Sequence, residues 1–384
     1  MDIIYKQVRW KQVKTVQDAK KFQIIISKST LDPEWDQFVE HASYGQYSQT
    51  SLWAQVKSVQ GWQPVRILIK HTDRIVAGVQ ILTKMLPFWG RIGAIWRGPL
   101  IETGNSELDS ALWRMLVRLC WRSRIYYLAL DLPADDDSLI HSARIYGFRE
   151  ALLGDIDTRA EVVLDLSPEL DEIFHHISKN RRKLIHRGEA RGVCVREGDE
   201  RDVALFHQLH AHSAKRLGFV PYQLEFFEKL WQLFAPSQHI KLFIAEYQGQ
   251  PLSAQINLLF RDTMTAYKIG WSGEHPDLYP NDEIHWHAIQ WAKLHGFRWF
   301  NLMGIETPVA EALRRGHPIP DEYLHTYNSY KLSFSSQLVF YPPTYERVFL
   351  PGVSWLYWKF FPRFKEVALV KRAIKSLRGV SAAE

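Results

Sequence analysis

Residues 299–308 read WFNLMGIETP and residues 327–334 read YNSYKLSF, with a polar loop between them. Trp299 to Met303 has the apolar run of a short strand, closed by Gly304. The second block reads as another apolar strand carrying a single cation, Lys331, among Tyr330, Leu332 and Phe334. A cation inside a buried strand is expensive unless it is paired or faces a site. Lys331 is therefore a candidate site residue, expected to point into a cleft beside the strand end at Asn301 to Glu306.

The same order of elements occurs twice. In the first half, Val65 to Lys84 reads as strand, turn, strand, and Arg91 to Ile101 as a third strand. Leu108 to Cys120 has helical spacing (Leu108, Leu112, Leu116, Leu119), and Tyr126 to Leu132 is the next strand. In the second half, Ile240 to Phe260 is strand, turn, strand, and Thr263 to Gly273 the third strand. Asp282 to Leu294 is the helix and Arg298 to Gly304 the last strand. An offset of about 170 to 175 positions marks duplicated domains, not a solenoid. The pattern predicts an α/β chain of two tandem acetyltransferase-like domains, mixed sheets flanked by helices. The expected division is 1–157 for the first domain, completed by 336–384, and 158–335 for the second.

At 384 residues two domains are expected, and 46% hydrophobic content supplies two cores. No apolar run approaches the roughly 20 residues of a membrane span, and the opening MDIIYKQVRWKQVK lacks the order of a signal peptide. Cys120 and Cys194, one per half, read as reduced thiols of a cytoplasmic protein. The histidines fall into no zinc spacing, so no metal is expected. The net charge of +6 points to an anionic partner. Its densest part is Lys179 to Arg191, where Lys179, Arg181, Arg182, Lys183, Arg187 and Arg191 stand against Glu189 alone. This is either a solvated basic helix or a phosphate-binding surface.

An acetyltransferase fold normally holds acyl-CoA pyrophosphate on backbone amides at a helix N-terminus. Neither pre-helix segment, GWSGEHPDLYPND or RGPLIETGNSE, has the required small residues, and Pro276 and Pro280 remove two donors. The fold cue thus points to acyl transfer without a CoA cue.

Seven blocks together resemble the Fem family of peptidoglycan bridge-forming aminoacyltransferases. They are Ser43 to Val65, Ser178 to Val195, Ala214 to Leu230, LFIAEYQGQPLSAQINLLF, AYKIGWSG, NLMGIE and YNSYKLSF, in family order over about residues 30 to 340. The resemblance is to the short form, since Glu161 to Ile240 leaves no room for a long helical arm. It implies transfer from aminoacyl-tRNA onto an amine of a peptidoglycan precursor, lipid-linked or not, without cofactor or metal. It implies that Lys57 and Arg216 grip the precursor diphosphate, Trp62 and Tyr222 line the substrate, and Lys331 stabilises the oxyanion. Asp131 matches a carboxylate near the cleft, Asn301 takes its place in the second copy, and no residue stands out as a dedicated base. The cluster Lys179, Arg181, Arg182 and Lys183 is assigned to tRNA phosphate. Rival readings keep the fold with a polysaccharide or peptide natural product as acceptor, or reduce the chain to a non-catalytic module binding tRNA or lipid-linked glycan. The tail interleaves Trp355, Tyr357, Trp358, Phe360, Phe361 and Phe364 with Lys359, Arg363 and Lys365, which suits either packing on the first domain or a peripheral membrane contact.

Overall fold

The computed structural model describes residues 22–364, except 87–89, 103–104, 153 and 155–157. The signal-peptide reading at residues 1–14, the domain end at 157 and the tail beyond 364 lie outside the described residues.

The first half runs β1 (Gln23–Ser27), α1 (Pro33–His41), α2 (Ser51–Ser58), β2 (Gln63–His71), β3 (Arg74–Leu86), β4 (Gly90–Ile95) and β5 (Leu100–Ile101). It continues through α3 (Ser106–Arg122), β6 (Ile125–Leu130), α4 (Asp137–Ile145) and β7 (Arg149–Glu150). The second half runs β8 (Ala160–Asp165), α5 (Leu170–His176), α6 (Lys179–Ala190), β9 (Val193–Gly198), α7 (Val203–Leu217), α8 (Leu224–Phe234), β10 (Ile240–Tyr247) and β11 (Gln250–Phe260). After these come β12 (Thr263–Trp271), α9 (Pro280–Leu294), β13 (Trp299–Ile305), α10 (Thr307–Arg314), α11 (Tyr327–Leu332), β14 (Gln337–Phe340), β15 (Tyr345–Val348) and α12 (Pro351–Phe364).

Two mixed sheets result. The first has the order β1-β2-β3-β4-β6-β15-β7 with β5 on β3, and the second β14-β8-β13-β12-β11-β10-β9. Each is antiparallel except for one parallel pair, β4–β6 and β12–β13. The copies correspond as β2-β3-β4-β6-β15 and β10-β11-β12-β13-β8. The fifth strand comes from the end of the chain in the first copy and from before the repeat in the second. α3 buries Leu108, Leu112, Leu116 and Leu119, and Asn105 caps it by accepting from the amides of Glu107 and Leu108. α9 begins at Pro280, where the missing N–H costs nothing, and buries Ile284, Ala288, Ile289 and Ala292.

The parallel pairs part differently. β4 and β6 pair from Arg91 to Ile95, and the ladder continues as the Asp131 amide donates to Ile95 and the Gly98 amide to Asp131. β12 and β13 pair only over Thr263–Thr265 and Trp299–Asn301. Beyond this, β12 bulges: Ala266 pairs with Asn257 and Lys268 with Ile256, leaving Tyr267 as the extra residue. The first copy is closed at its strand gap and the second is open.

The two halves share a core. Trp53 and Val56 of α2 pack with Phe226, Phe227 and Tyr267 of the second half. Trp53 lies edge-on to Phe226 at 6.3 Å and to Tyr267 at 5.8 Å.

Two local readings are corrected. YNSYKLSF is a helix, α11, and not a strand. Its aromatics work at helical spacing: Tyr330 and Phe334 both face His285, at 5.5 Å each, and Tyr327 lies under Lys331 at 5.1 Å. Arg181 does not present itself to solvent phosphate. Its Nη1 lies 2.5 Å from Asp282, its Nε donates to Ser333 at 2.9 Å, and its guanidinium covers the Tyr330 ring at 4.3 Å. α6 is thereby pinned to the start of α9.

Glu283, next to this pair, is buried against Gly188 and accepts from the Glu189 amide at 3.1 Å. Burial pushes its carboxyl up to about 8. The folded state then holds a proton that the unfolded chain releases, so this contribution to stability is present at low pH and lost as pH rises from 4.5 to about 8. Thermal unfolding of Glu283→Gln should match the wild type near pH 4 to 5 and exceed it at about pH 9. Parallel pH curves for the two proteins would contradict this placement of the carboxyl.

Candidate active-site cleft

The open gap between β12 and β13 leads into a cleft of about 520 Å³ between the halves. β12 contributes Thr265 and Tyr267, β13 contributes Asn301 and Met303, and the first half contributes Trp53, Lys57 and Trp96. Lys57 follows Trp53 by one turn of α2, so anchoring Trp53 in the second half's core aims Lys57 at the cleft. Its Nζ lies 5.7 Å from the Trp53 ring, 5.4 Å from Trp96 and 6.0 Å from Tyr222, and it donates to Gln60 at 3.0 Å. From the other half, Lys268 reaches the same Tyr222 ring at 5.5 Å. The bulge at Tyr267 makes this reach understandable, because it breaks the strict alternation that would send adjacent strand residues to opposite faces. Two cations from different halves thus converge on one aromatic ring.

The cleft wall also holds a carboxylate. Glu161 of β8 accepts from Asn301 at 2.7 Å and from the Tyr341 hydroxyl at 3.2 Å, and pairs with Arg97 at 3.3 Å. Arg97 is 2% exposed, stacks 3.4 Å from the Tyr341 ring and donates to the Thr158 carbonyl at 3.3 Å. Met303 takes a left-handed φ of 67°, where a non-glycine side chain is strained, and its amide donates to Asn301 Oδ1 at 2.7 Å.

Among the sequence candidates, Lys57, Tyr222 and Asn301 line this cleft. Four others do not. Arg216 sits at the end of α7, over the Trp271 ring at 4.4 Å, with Ser213 as a hydrogen-bond partner at 3.4 Å; the cation that joins Lys57 at Tyr222 is Lys268. Trp62 is 2% exposed in a small core with Ala54, Leu82 and Ala94, and backs Trp96 edge-on at 5.5 Å. Asp131 is buried in the closed ladder of the first copy, where Thr344 donates to it. Lys331 donates to the Gly304 carbonyl at 2.6 Å, beside the end of β13 and adjacent to the cleft-lining Met303. Lys179 and Lys183 of α6 are exposed, whereas Arg182 donates to the His175 carbonyl at 2.8 Å. Sequence reasoning missed Lys268, Glu161 and Tyr341. Lys268 had the signal applied to Lys331, a cation inside an apolar strand.

A CoA pyrophosphate would sit at the N-terminus of α3 or α9. In α3 the first turn carries Glu107 and Asp109, which oppose an anion at the N-terminus; in α9 it carries Asp282, paired with Arg181, and the buried Glu283. At α9 the seat is also filled by Arg181 and Gly188 of α6. Among the described residues no group of three His, Cys, Asp or Glu is arranged to hold a metal ion.

Comparison with known proteins places these features. The FemAB family model matches residues 26–136 and the acetyltransferase (GNAT) domain model residues 173–311. The chain is 23% identical over 234 residues to a lipid II:glycine glycyltransferase of Staphylococcus aureus strain MRSA252, covering 58% of this chain and 56% of the relative. The same enzyme of strain NCTC 8325 / PS 47 is 22% identical over the same span. The chain thus matches little more than half the length of these relatives. The crystal structure of FemX superposes with a TM-score of 0.75 at 15% identity, covering 87% of this chain and 99% of that one. A tandem GNAT protein from the clavulanic acid biosynthesis pathway superposes at 0.53 with 10% identity, covering 85% and 98%. These likenesses establish the fold as two GNAT domains in tandem.

Removing Glu161 would take a carboxylate from the buried Arg97 guanidinium and an acceptor from Asn301 and Tyr341. Glu161→Ala should cost about 3 kcal/mol in urea unfolding, and Arg97→Met with Glu161→Leu should recover most of the loss. Equal losses in the single and double variants would show that the pair is not the source.

Proposed function

We propose that this chain, similar to the Fem family in its first half and to FemX in fold, is an aminoacyltransferase. The donor is an aminoacyl-tRNA and the acceptor an amine on the stem peptide of a peptidoglycan precursor. The observation that carries this reading is the cleft itself: an open GNAT strand gap flanked by Lys57, Lys268 and Tyr222, in a fold whose usual CoA seat is occupied by protein. The curated relatives act on lipid II by name, which supports a lipid-linked acceptor met through a peripheral contact with the membrane. No helix among the described residues is long and apolar enough to cross one.

The reaction needs alignment more than strong acids or bases. The acceptor nitrogen attacks the ester carbonyl, the C–N bond forms, the C–O bond to the terminal ribose breaks, and the amine proton leaves with the ribose oxygen, directly or through water. Holding both partners in a partly dry cleft supplies most of the acceleration. Lys57 and Lys268 hold the acceptor's diphosphate, each through charge-assisted contacts. Lys331 donates to Gly304 beside the end of β13, where its charge would stabilise the oxyanion. Lys179 and Lys183, exposed on α6, contribute to tRNA phosphate binding.

Lys57→Met and Lys268→Met should each raise the acceptor KM about tenfold with little change in kcat, while Arg216→Met leaves KM near the wild-type value. Lys331→Met should lower kcat by roughly 10²- to 10³-fold with KM nearly constant. A variant with normal kcat but a lower melting temperature would make Lys331 a structural lysine. Mass spectrometry of muropeptides from a strain lacking the gene tests the acceptor. A missing bridge residue is expected; an unchanged muropeptide profile would move the acceptor to another amine, of a polysaccharide or a peptide product.

A further inference from the structure

On the first half, away from the cleft, α12, β15 and the end of α3 line a second, widely open hollow of about 630 Å³. Its walls include Trp121, Trp355 and Trp358 together with Arg149, Arg347 and Lys359, and among the described residues no carboxylate. The cations lie against rings: Arg149 at 5.2 Å from Trp358, Lys359 at 4.4 Å from Trp355, and Arg347 at 4.8 Å from Phe349. Nearby acids are engaged elsewhere. Glu150 pairs with Arg144 at 3.6 Å, and Glu346 turns inward to the Tyr357 and Tyr127 hydroxyls at 2.7 Å each.

The rim is apolar and exposed. Val353 and Leu356, one helical turn apart on α12, are each 50% exposed, and Trp355 is 58% exposed. Trp121, also exposed, lies edge-on to Phe349 at 5.8 Å and joins this rim to α3. The outer face of α3 then continues the charge. Arg114, Arg118 and Arg122 recur every fourth residue, all exposed, and Arg124 follows. The acids of α3, Glu107 and Asp109, are confined to its opposite end.

Exposed indoles and aliphatics rimming cations that pair with no carboxylate among the described residues have the chemistry of the headgroup layer: rings at the interface, cations on lipid phosphate. We propose that this face, built from α3 and α12, docks on an anionic phospholipid bilayer, with Arg149, Arg347 and Lys359 receiving a phosphodiester headgroup. The inference rests on the peripheral-contact reading above and is independent of the transfer chemistry.

The test is co-sedimentation of the full chain with vesicles of phosphatidylcholine alone or mixed with phosphatidylglycerol. Wild-type protein should bind the mixed vesicles strongly and the neutral ones weakly. Each cation near an anionic surface contributes about fivefold, so Arg118→Gln, Arg124→Gln and Lys359→Gln together should weaken binding about 100-fold. Trp355→Ser with Leu356→Ser should weaken it on both vesicles. All five residues are exposed, and thermal melting confirms that each variant is folded. Equal wild-type binding to both vesicles, or a triple variant that binds like wild type, would overturn the proposal. So would a triple variant that stays on vesicles but loses charged tRNA, which would make the face a nucleic-acid surface. Transfer to a soluble precursor, measured in parallel, separates the two claims. A vesicle-deficient variant should retain it, and a wild type that binds vesicles yet transfers nothing would sink the enzyme reading alone.

Discussion

Trp53 belongs to the first half by sequence and to the second by packing. Its ring sits against Phe226 and Tyr267, in a core that α2 shares with α8 and β12. Truncating a buried tryptophan typically costs about 3 to 5 kcal/mol, so this contact holds the two halves in one orientation. Everything at the cleft inherits that orientation. Lys57 is one turn beyond Trp53, Tyr267 is the bulged residue that opens β12, and Tyr222 precedes α8. A site whose parts come from two domains needs such an apolar anchor, because charged contacts across a wet cleft would be too weak to position one another.

The duplication explains why only one of the two strand gaps is available. In the first copy the parallel pair stays zipped through Asp131 and Gly98, and Thr344 from the linker before β15 seals it. In the second copy the pair separates after Thr265 and Asn301, and the exposed strand ends receive Glu161, Tyr341 and Arg97. The first domain thus contributes a wall and a cation, and the second contributes the opening. At the α9 N-terminus, Arg181 of α6 pairs with Asp282 and Gly188 packs against Glu283.

Much of this was legible in the sequence. The order strand, turn, strand, strand, helix, strand could be read twice because periods of 2 and 3.6 are local properties, and α3 and α9 fall where their apolar spacing put them. The errors arose where a residue's role is set by a distant partner. YNSYKLSF has an alternation that suits a strand, but its aromatics pair with His285 and with each other only on a helix. Trp62, expected to line the substrate, and Arg181, expected on tRNA phosphate, take their roles from Trp96 and Asp282, far along the chain. Lys268 was the reverse case: a lysine in an apolar strand whose register shift at Tyr267 no sequence pattern announces.

The central claim is that the cleft moves an amino acid from tRNA to an amine without CoA. The direct measurement is a transfer assay with the purified protein, tRNA charged with a labelled amino acid, and a stem-peptide precursor, run with and without acetyl-CoA. The account predicts that label passes from tRNA to the precursor at a rate indifferent to acetyl-CoA. Label that stays on tRNA while acetyl-CoA is consumed would contradict it.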